Sequence, residues 1–578
     1  MSLGRLIIIL LSRSLMSDLI GRARSWIEAD PDSATRAELE AVIERGDIVD
    51  LEARMNTVLA FGTAGIRGVV GAGPGRMNRA VVIRTTFGLA DYLGEVDRPV
   101  VVGFDARPSS RQFAEDTCGV LVAAGIPVFY FPKVTPTPLV AYAAKHLAAS
   151  AAVVVTASHN PPVDNGYKVY GPEASQIVSP VDTQIQHNIE DAPPADRIER
   201  LEGVFAGASD LARPVPDDIV DCYWEELSAT RVRADGSNLK IVYTPIHGVG
   251  KDTVFEVMQR AGHTGIVAVP EQAEPDGTFP TVAFPNPEEP GALDLAIKLA
   301  EVNNADVVIA NDPDADRLAA VVPHGGGWRL LTGNEMGALL GEYLLAGDKD
   351  PTSAIVASST VSSPLLSRIA DRFGARHEST LTGFKWIARA GFTLEGRGLG
   401  RFIFGYEEAL GYTIGTTVRD KDGISAALIF VDLAADLDDS GETIINQLHR
   451  IWRSYGLWVS AQSSVVRPGT TGVGALKAAV ERLADNPPRH VGKHRVHDVT
   501  DYRKNAESRP PWLGEQALVE LDLGETGRIL VRPSGTEPKL KVYVDLTEPL
   551  GNDPDRQHDE LMLHAKTLGD EIAGELGL

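Results

Sequence analysis

The chain has 578 residues, of which 43% are hydrophobic and 23% are charged, as in ordinary soluble globular proteins. At roughly 100–200 residues per domain, this length favours three to five domains over one. The formal net charge of −24 and the pI of about 5.0 argue against nucleic-acid and membrane partners, because both require positive potential on the protein.

The two cysteines, Cys118 and Cys222, are too few for a disulfide framework or a cysteine-based metal site. They fit a reducing compartment, and we expect a cytoplasmic protein. Near the N-terminus, the apolar run Leu6–Leu11 is too short to span a bilayer, and no clear signal-peptide cleavage site follows it. We expect residues 1–15 to be an upstream extension that takes no part in the fold.

Residues 17–56 have a polar, helical pattern, and apolar runs then alternate with helix-like stretches, which is typical of α/β architecture. Three times, an apolar run ends in a polar or glycine-rich loop and is followed, after a helical stretch, by a second apolar run. This repeated pattern predicts three similar α/β units in series. The first runs are Val100–Phe104, Leu239–Tyr243 and Ala354–Ala357, and the second runs are Ala151–Val155, Ala305–Ala310 and Arg401–Phe404.

A loop rich in functional groups follows each second run. In open α/β sheets, ligands bind at the carboxyl ends of strands, so the three loops could converge on one cleft. The tail from about residue 457 differs, with short apolar runs at Leu518–Leu523, Gly527–Val531 and Leu540–Leu546 before a closing helix. It predicts a smaller α+β domain.

The segment NDPDADR places Asp312, Asp314 and Asp316 directly after an apolar run. Three carboxylates this close repel one another, and a divalent cation removes the repulsion. Hard oxygen ligands suit Mg²⁺, although the loop lacks the layout of an EF-hand. The alternative is an acidic, solvated turn.

The segment TASHNP follows the run Ala151–Val155 and contains Ser158 and His159. A small hydroxyl residue at the end of a strand is well placed for nucleophilic chemistry. The segment is not the G-x-S-x-G elbow of the α/β-hydrolases. The residues alone leave open a hydroxyl-containing turn that ends the strand.

The segment RPSGTEPK, residues 532–539, combines an arginine, two hydroxyls, a glycine and a lysine, and Lys541 adds another cation. Such a loop can wrap a phosphate with charged donors and backbone N–H groups. The alternative is a polar hairpin turn.

Two further motifs are weaker. GYEEALG carries Glu407 and Glu408, whose carboxylates suit sugar hydroxyls, whereas the alternative is an acidic pair that caps a helix. FGTAGIRG lacks the strand–GxGxxG–helix context of a dinucleotide site, but it could let Arg67 reach a phosphate.

In this order, TASHNP, DPDADR, GYEEALG and RPSGTEPK resemble the motifs of the α-D-phosphohexomutase superfamily, which includes phosphoglucomutases, phosphomannomutases and phosphopentomutase relatives. The resemblance runs from about Leu51 to the C-terminus. It implies four domains around a central cleft, in which three similar mixed-sheet α/β units precede a smaller α+β domain. The expected divisions are an N-terminal extension and helix at 1–50 and domains at 51–222 (phosphoserine loop), 223–346 (metal loop), 347–456 (sugar-recognition loop) and 457–578 (phosphate-binding loop).

The resemblance also implies residue roles. Ser158 would be the phosphoserine and, with Asp312, Asp314 and Asp316, would hold one Mg²⁺ per active site. The other catalytic residues would be His159, Lys168, Arg317 and Lys385, with Lys385 or Lys168 as the proton acceptor. The substrate-binding residues would be Arg67, Gly405, Glu407, Glu408, Arg532, Ser534, Gly535, Thr536 and Lys541.

The implied reaction transfers a phosphoryl group from Ser158 to a sugar phosphate and returns the other phosphoryl group of the resulting bisphosphate. The expected substrates are the 1- and 6-phosphates of glucose or mannose, with a sugar bisphosphate as activator. Ala409 stands where many glucose-specific members have serine, so a phosphopentomutase remains an alternative. A metal-dependent sugar phosphatase and a non-catalytic sugar-phosphate binding protein are further alternatives. The sequence does not indicate an oligomeric state.

Overall fold

The computed structural model describes residues 3–62, 65–467, 470–533 and 539–576. The chain folds into two compact units. Unit 1 comprises Met1–Ala229, Asn238–Leu318 and Thr417–Ile424, and unit 2 comprises Thr230–Ser237, Ala319–Thr416 and Ser425–Leu578. None of the helices in the described ranges has the length and apolar character needed to cross a membrane.

Three helices open unit 1: α1 (Leu3–Ala29), α2 (Ser33–Arg45) and α3 (Ile48–Met55). The carboxylate of Asp32 caps α2 by accepting the N–H of Ala34. Helix α1 starts earlier than expected, because the backbone is already helical within the segment that the sequence placed outside the fold. The side chains of residues 1–15 lie outside the described part of the chain.

A six-stranded sheet in unit 1 has the order β1-β5-β4-β2-β3-β6, in which β5 is antiparallel to both β1 and β4. Every residue of β2 and β4 is buried, as their continuous apolar sequence indicates for strands inside a parallel sheet. The elements are β1 (Ile66–Val69), α4 (Arg79–Leu93), β2 (Val100–Phe104), α5 (Ser110–Ala123), β3 (Val128–Tyr130), α6 (Thr137–His146), β4 (Ala151–Val155), β5 (Asp164–Tyr170), α7 (Val181–Asp191), β6 (Ala212–Pro214) and α8 (Ile219–Ser228).

Unit 1 also contains a second set of parallel strands, with β7 paired to both β8 and β9. The loops that follow β7 and β9 touch, because the N–H of Val249 donates to the carbonyl oxygen of Pro313 at 2.9 Å. A Cβ on Gly248 would lie 2.5 Å from Pro313 Cα, so only glycine allows this approach. The elements are β7 (Ile241–Thr244), α9 (Lys251–Arg260), β8 (Ile266–Ala268), α10 (Asp294–Asn303) and β9 (Val307–Ala310).

Unit 2 begins its regular structure with the antiparallel hairpin β10 (Ala319–His324) and β11 (Gly327–Leu330). Helix α11 (Gly333–Gly347) follows, and Thr332 and Glu335 form a capping box at its N-terminus.

The next sheet has the order β13-β12-β14-β15. Strand β12 pairs in parallel with β13 and β14, whereas β14 and β15 form an antiparallel hairpin. The elements are β12 (Ala354–Ser359), α12 (Leu365–Phe373), β13 (Arg376–Thr380), α13 (Phe384–Gly396), β14 (Arg401–Glu407), β15 (Gly411–Ile414), α14 (Gly423–Asp439) and α15 (Ile444–Tyr455).

The C-terminal sheet has the order β16-β22-β21-β20-β19, and its neighbouring strands are antiparallel. A separate short hairpin joins β17 and β18. The elements are β16 (Leu457–Val466), α16 (Thr470–Asp485), β17 (His490–Val491), β18 (His494–Arg495), β19 (Asp498–Asp501), β20 (Val519–Asp522), β21 (Gly527–Pro533), β22 (Lys539–Glu548) and α17 (Pro554–Glu575).

The predicted fold class is confirmed. Three α/β domains that combine parallel and antiparallel strand pairs precede a smaller C-terminal domain. Strands β2 and β4 match the predicted runs residue for residue, whereas β14 continues three residues past the predicted run to Glu407. The domain boundaries and the central cleft stay predictions.

Candidate active site

Ser158 lies in the loop after β4 in an unusual backbone conformation. The Thr156 hydroxyl accepts the N–H of Ser158 at 2.9 Å and donates to Asp105 Oδ2 at 2.7 Å. The hydroxyl-containing turn that the sequence left open is therefore present. Ser158 has a φ of +52°, a left-handed conformation that is costly for a residue with a Cβ and that clusters at functional sites.

The side chain of Ser158 is buried against an aspartate. Its Oγ donates to Asp312 Oδ2 at 2.7 Å and lies 3.2 Å from Nδ1 of His159. Burial lowers the pKa of His159 well below its ordinary value, and the charges of Arg317 and Arg67 lower it further. His159 is therefore a neutral imidazole near pH 7.

Asp312, Asp314 and Asp316 follow β9, and each is 1% exposed or less. One carboxylate oxygen from each lies within 4.8 Å of the others. Ala315, with a φ of +56°, turns the chain within the triplet, and the N–H of Arg317 donates to Asp312 Oδ1 at 3.0 Å. Burial, followed by the charges of Asp316 and Asp314, raises the pKa of Asp312 well above its ordinary value. The fold thus holds three carboxylates together against their repulsion.

Two lysines offset part of this charge. Lys168 Nζ donates to Asp314 Oδ2 at 2.6 Å and to Asp316 Oδ2 at 3.0 Å, and Lys421 Nζ lies 3.2 Å from Asp316 Oδ2. Burial alone would lower the pKa of Lys168, but the charges of Asp314 and Asp316 outweigh it and the pKa is raised. Lys168 therefore keeps its proton at neutral pH.

Two arginines complete the ring of cations. Arg317 Nε lies 3.8 Å from Asp316 Oδ1 and 3.9 Å from Asp312 Oδ2. Arg67 keeps contact with solvent, and its Nη1 donates to Asn160 Oδ1 at 2.8 Å. Partial burial lowers the pKa of Arg67, and the charges of Asp314 and Asp316 oppose that shift. Four cations thus lie near three carboxylates. A bound divalent cation would make the net charge of the cluster clearly positive, which suits a phosphate.

The aspartate cluster fits such a cation. Asp314 Oδ1 and Asp316 Oδ1 are buried without a hydrogen-bond partner among the described residues. Buried carboxylate oxygen atoms left in this state cost free energy, and metal ligation removes the cost. Carboxylates joined by a serine oxygen form the hard-oxygen set that Mg²⁺ prefers.

Gly405, Glu407 and Lys385 lie in unit 2. Glu407 ends β14, and the chain turns back into β15, so the alternative of an acidic pair that caps a helix is wrong. Glu407 Oε1 accepts the N–H of Gly383 at 2.7 Å, which places it beside the turn that leads to Lys385 at the start of α13.

Glu408 points to two hydroxyls of the same unit. Its Oε2 accepts from Ser359 Oγ and Ser362 Oγ, both at 3.3 Å, and Ser362 Oγ also accepts the N–H of Glu408 at 3.1 Å. This fixes the loop that follows β14.

Arg532 and Lys541 lie opposite each other on the antiparallel strands β21 and β22. Burial raises the pKa of Tyr543, and the charges of Glu408, Arg532 and Glu407 all act on it. The loop between β14 and β15 and the strand that carries Arg532 are therefore close within unit 2. Ser534, Gly535 and Thr536 lie outside the described residues.

Lys421 is a site residue that the sequence reasoning missed. It follows Asp316 by 105 residues, and the only local signal is a lysine between two aspartates. Asp420 Oδ2 accepts from Tyr170 at 2.7 Å, and Asp422 Oδ2 accepts from Tyr223 at 2.7 Å. These anchors hold the loop so that Lys421 reaches the cluster.

Comparison with known proteins gives a consistent result across the chain. Residues 58–195, 221–326, 332–455 and 477–549 match domains I, II, III and the C-terminal domain of the phosphoglucomutase/phosphomannomutase family. A probable phosphomannomutase of Haemophilus influenzae is 40% identical over 84% of this chain and 97% of its own length. The mouse phosphopentomutase is 35% identical over 95% of this chain and 93% of its own. The open form of parafusin, a phosphoglucomutase of Paramecium, shares the fold with a TM-score of 0.67 at 18% identity, over 89% of this chain and 96% of its own.

The fold and the domain matches define an intramolecular phosphotransferase that acts on sugar phosphates. The chain belongs to the phosphoglucomutase/phosphomannomutase family, within the α-D-phosphohexomutase superfamily.

Proposed function

We propose that the protein interconverts the 1-phosphate and the 6-phosphate of a hexose, glucose or mannose, through a phosphorylated Ser158. The observation that carries this proposal is the 2.7 Å contact between Ser158 Oγ and a buried cluster of three aspartates. The name of the Haemophilus influenzae relative supports the hexose.

The proposed reaction has two phosphoryl transfers. In the first, the bond between phosphorus and Ser158 Oγ breaks as the free hydroxyl of the sugar phosphate forms a new one. The hydroxyl proton passes to a base, Ser158 Oγ takes up a proton as it leaves phosphorus, and a sugar bisphosphate results. The bisphosphate then reorients in the site and returns its other phosphoryl group to Ser158, which restores the phosphoenzyme. A sugar bisphosphate from solution is the proposed activator, because it can phosphorylate an unmodified Ser158.

Asp312, Asp314, Asp316 and the serine oxygen would hold one Mg²⁺. When bound, Mg²⁺ supplies electrostatic stabilisation of the negative charge on the transferring group. Around it, Arg317 and Arg67 are proposed to attract and orient the phosphoryl oxygens. His159 is neutral and lies beside the serine oxygen. We propose that it limits the positions open to Ser158 Oγ without adding charge.

Sugar recognition is assigned to Gly405, Glu407 and Glu408. We propose that Arg532, Ser534, Gly535, Thr536 and Lys541 grip the distal phosphate, which must be held in both orientations of the bisphosphate. We propose a four-domain enzyme of the cytoplasm.

We propose that Lys168 acts as a fixed positive charge, since its carboxylate partners raise its pKa. The role of proton acceptor then falls to Lys385, because Lys421 also contacts Asp316, at 3.2 Å, and is a second charge partner of the cluster. Methionine keeps the length of the side chain and removes the amine. The pH profiles of Lys385→Met and Lys168→Met test this assignment: Lys385→Met should lose turnover at every pH, whereas Lys168→Met should turn over more slowly but keep the shape of the wild-type profile.

A pentose phosphate is the second candidate substrate. The mouse phosphopentomutase matches almost the whole of both chains, and Ala409 replaces a serine that many glucose-specific enzymes have. A panel of the 1-phosphates of glucose, mannose, ribose and deoxyribose, with a trace of the matching bisphosphate, decides between them. Inorganic phosphate is measured in the same reactions, because its release in place of the isomer would indicate a phosphatase.

The mechanism predicts that Ser158→Ala reduces mutase turnover at least about 1,000-fold, because no covalent phosphoenzyme can form. Ser150→Ala is the matched control. Ser150 is a buried serine just before β4 that donates to the carbonyl oxygen atoms of Arg98 and Pro99, away from the site. Intact-mass measurement should find one phosphate on the wild type and on Ser150→Ala, and none on Ser158→Ala. Near-normal turnover by Ser158→Ala would overturn the proposal.

A further inference from the structure

Arg107, in the loop after β2, is 3% exposed and binds the backbone of the Ser158 loop. Its Nη2 donates to the carbonyl oxygens of Ser158 and Asn160, both at 2.7 Å. Its Nη1 donates to the carbonyl oxygens of Pro161 at 2.6 Å and Asp164 at 2.8 Å. One guanidinium thus spans the loop from the serine to the start of β5.

Other groups fix the guanidinium itself. Arg107 Nε lies 3.2 Å from Asp105 Oδ2, and Asp105 Oδ2 also accepts from the Thr156 hydroxyl. On another side, the guanidinium carbon lies 5.1 Å from the centre of the Phe279 ring, a cation–π contact. A Cβ on Gly277 would lie 2.3 Å from Arg107 Cα, so the chain around Phe279 packs closely against it.

The Ser158 loop needs such support. Ser158 adopts a left-handed conformation, and a strained conformation persists only where surrounding contacts determine it. Arg107 binds the carbonyl oxygen of Ser158 itself, so it fixes the peptide plane on one side of the strained residue. The direction of Ser158 Oγ toward Asp312 depends on that plane.

We propose that Arg107 is a positioning residue for phosphoryl transfer, which holds Ser158 in line with the aspartate cluster. This inference rests on the proposed role of Ser158. In the part of the chain that the structure describes, the hydrogen bonds from the Arg107 guanidinium go to the serine loop and none goes to an aspartate of the cluster, so Arg107 acts through that loop. A planar, forked donor is required, because a single ammonium group cannot span four carbonyl oxygens in this geometry.

The test compares Arg107→Lys with Arg84→Lys. Arg84 is a matched control because its Nη2 also donates to two backbone carbonyl oxygens of unit 1, those of Ile189 and Ala192, both at 3.1 Å. Both changes keep the positive charge and remove the fork. Two measurements are made on the full chain: hydrogen exchange of residues 156–166, and single-turnover transfer from phosphorylated enzyme to the preferred sugar phosphate.

In Arg107→Lys we expect at least 10-fold faster exchange in residues 156–166 and a fall in transfer rate of roughly 10- to 100-fold, since small misplacements of a reacting group have effects of this size. KM should stay within about threefold of wild type, because the loop is not part of the proposed sugar site. Arg84→Lys should match wild type in both measurements.

Three results would overturn the inference: unchanged exchange in residues 156–166, unchanged transfer, or equal losses in Arg84→Lys. The exchange measurement needs no substrate. It therefore tests Arg107 even if the wild type transfers no phosphoryl group, a result that would count against the proposed function instead. If Arg107→Lys does not fold, Arg107→Gln, which keeps two amide donors, replaces it under the same criteria.

Discussion

At the scale of single residues, burial decides which titratable groups stay neutral. Nε2 of His377, in β13, lies 2.9 Å from Ser358 Oγ. Burial lowers its pKa from 6.5 to about 4, and the charge of Arg528 contributes. The unfolded chain binds a proton at His377 below about pH 6.5, whereas the folded chain does so only near pH 4.

This difference predicts a loss of stability in acid. Between about pH 6.5 and pH 4 the unfolded state binds more protons, so the free energy of unfolding falls as the pH falls, by at most about 3 kcal/mol from this residue. His377→Gln can still bond Ser358 but does not titrate. Denaturant unfolding at pH 7, 5.5 and 4.5 should show a smaller acid loss for His377→Gln than for wild type. The exposed His490→Gln should keep the wild-type dependence, and an equal acid loss in all three proteins would contradict the prediction.

At the scale of elements, the start of α11 is in close backbone contact with the loop between β14 and β15. Gly333, the first residue of α11, leaves room for Glu408, because a Cβ at this position would lie 1.9 Å from the carbonyl oxygen of Glu408. That approach and the bonds from Ser359 and Ser362 fix the loop between β14 and β15. The geometry proposed to read the sugar is therefore built partly by a helix N-terminus.

Gly333→Ala should displace this loop. We expect KM for the preferred sugar phosphate to rise by roughly 10-fold or more, since positioning groups tolerate little movement. Gly396→Ala is the control, because Gly396 ends α13 and a Cβ there would meet nothing within 4 Å. Steady-state kinetics of both variants check the prediction, with thermal unfolding to confirm folding. A KM for Gly333→Ala equal to that of Gly396→Ala would refute it.

The elements also show why part of the site was predictable from sequence. Strands β2 and β4 are fully buried, so each is a continuous apolar run whose ends are visible in the sequence. The aspartate triplet is local, and its spacing alone indicates a metal. The end of β14 was not predictable, because Glu407 is polar yet continues the strand into a hairpin.

Lys421 and Arg107 were not predictable for a different reason. Lys421 contacts Asp316 because tyrosines from distant segments anchor its neighbours. Arg107 contacts the Ser158 loop across 51 to 57 residues of chain. Contacts made by tertiary packing leave no local pattern. The sequence predicts only those motifs whose functional residues lie within a few positions of one another.

At the scale of the whole molecule, a chain with a net charge of −24 concentrates cations at one place. Lys168, Lys421, Arg317 and Arg67 surround the aspartates, and all of them belong to unit 1. An acidic chain and a local cluster of cations are compatible, because a small anionic substrate responds to the local potential. The proposed metal ligands also lie in unit 1 alone, so metal binding should stabilise that unit directly.

Mg²⁺ should therefore slow hydrogen exchange in unit 1, most strongly in residues 156–170 and 305–318. Binding to the folded state alone stabilises it by about 2.7 kcal/mol when the free Mg²⁺ concentration is 100 times Kd, which corresponds to roughly 100-fold slower exchange for amides that require unfolding of the site. Asp314→Asn removes a ligand charge and should abolish the effect, and sodium chloride of equal ionic strength should not reproduce it. The experiment compares wild type and Asp314→Asn with and without Mg²⁺. If Mg²⁺ slowed exchange equally in wild type and in Asp314→Asn, the aspartate cluster would not be the Mg²⁺ site.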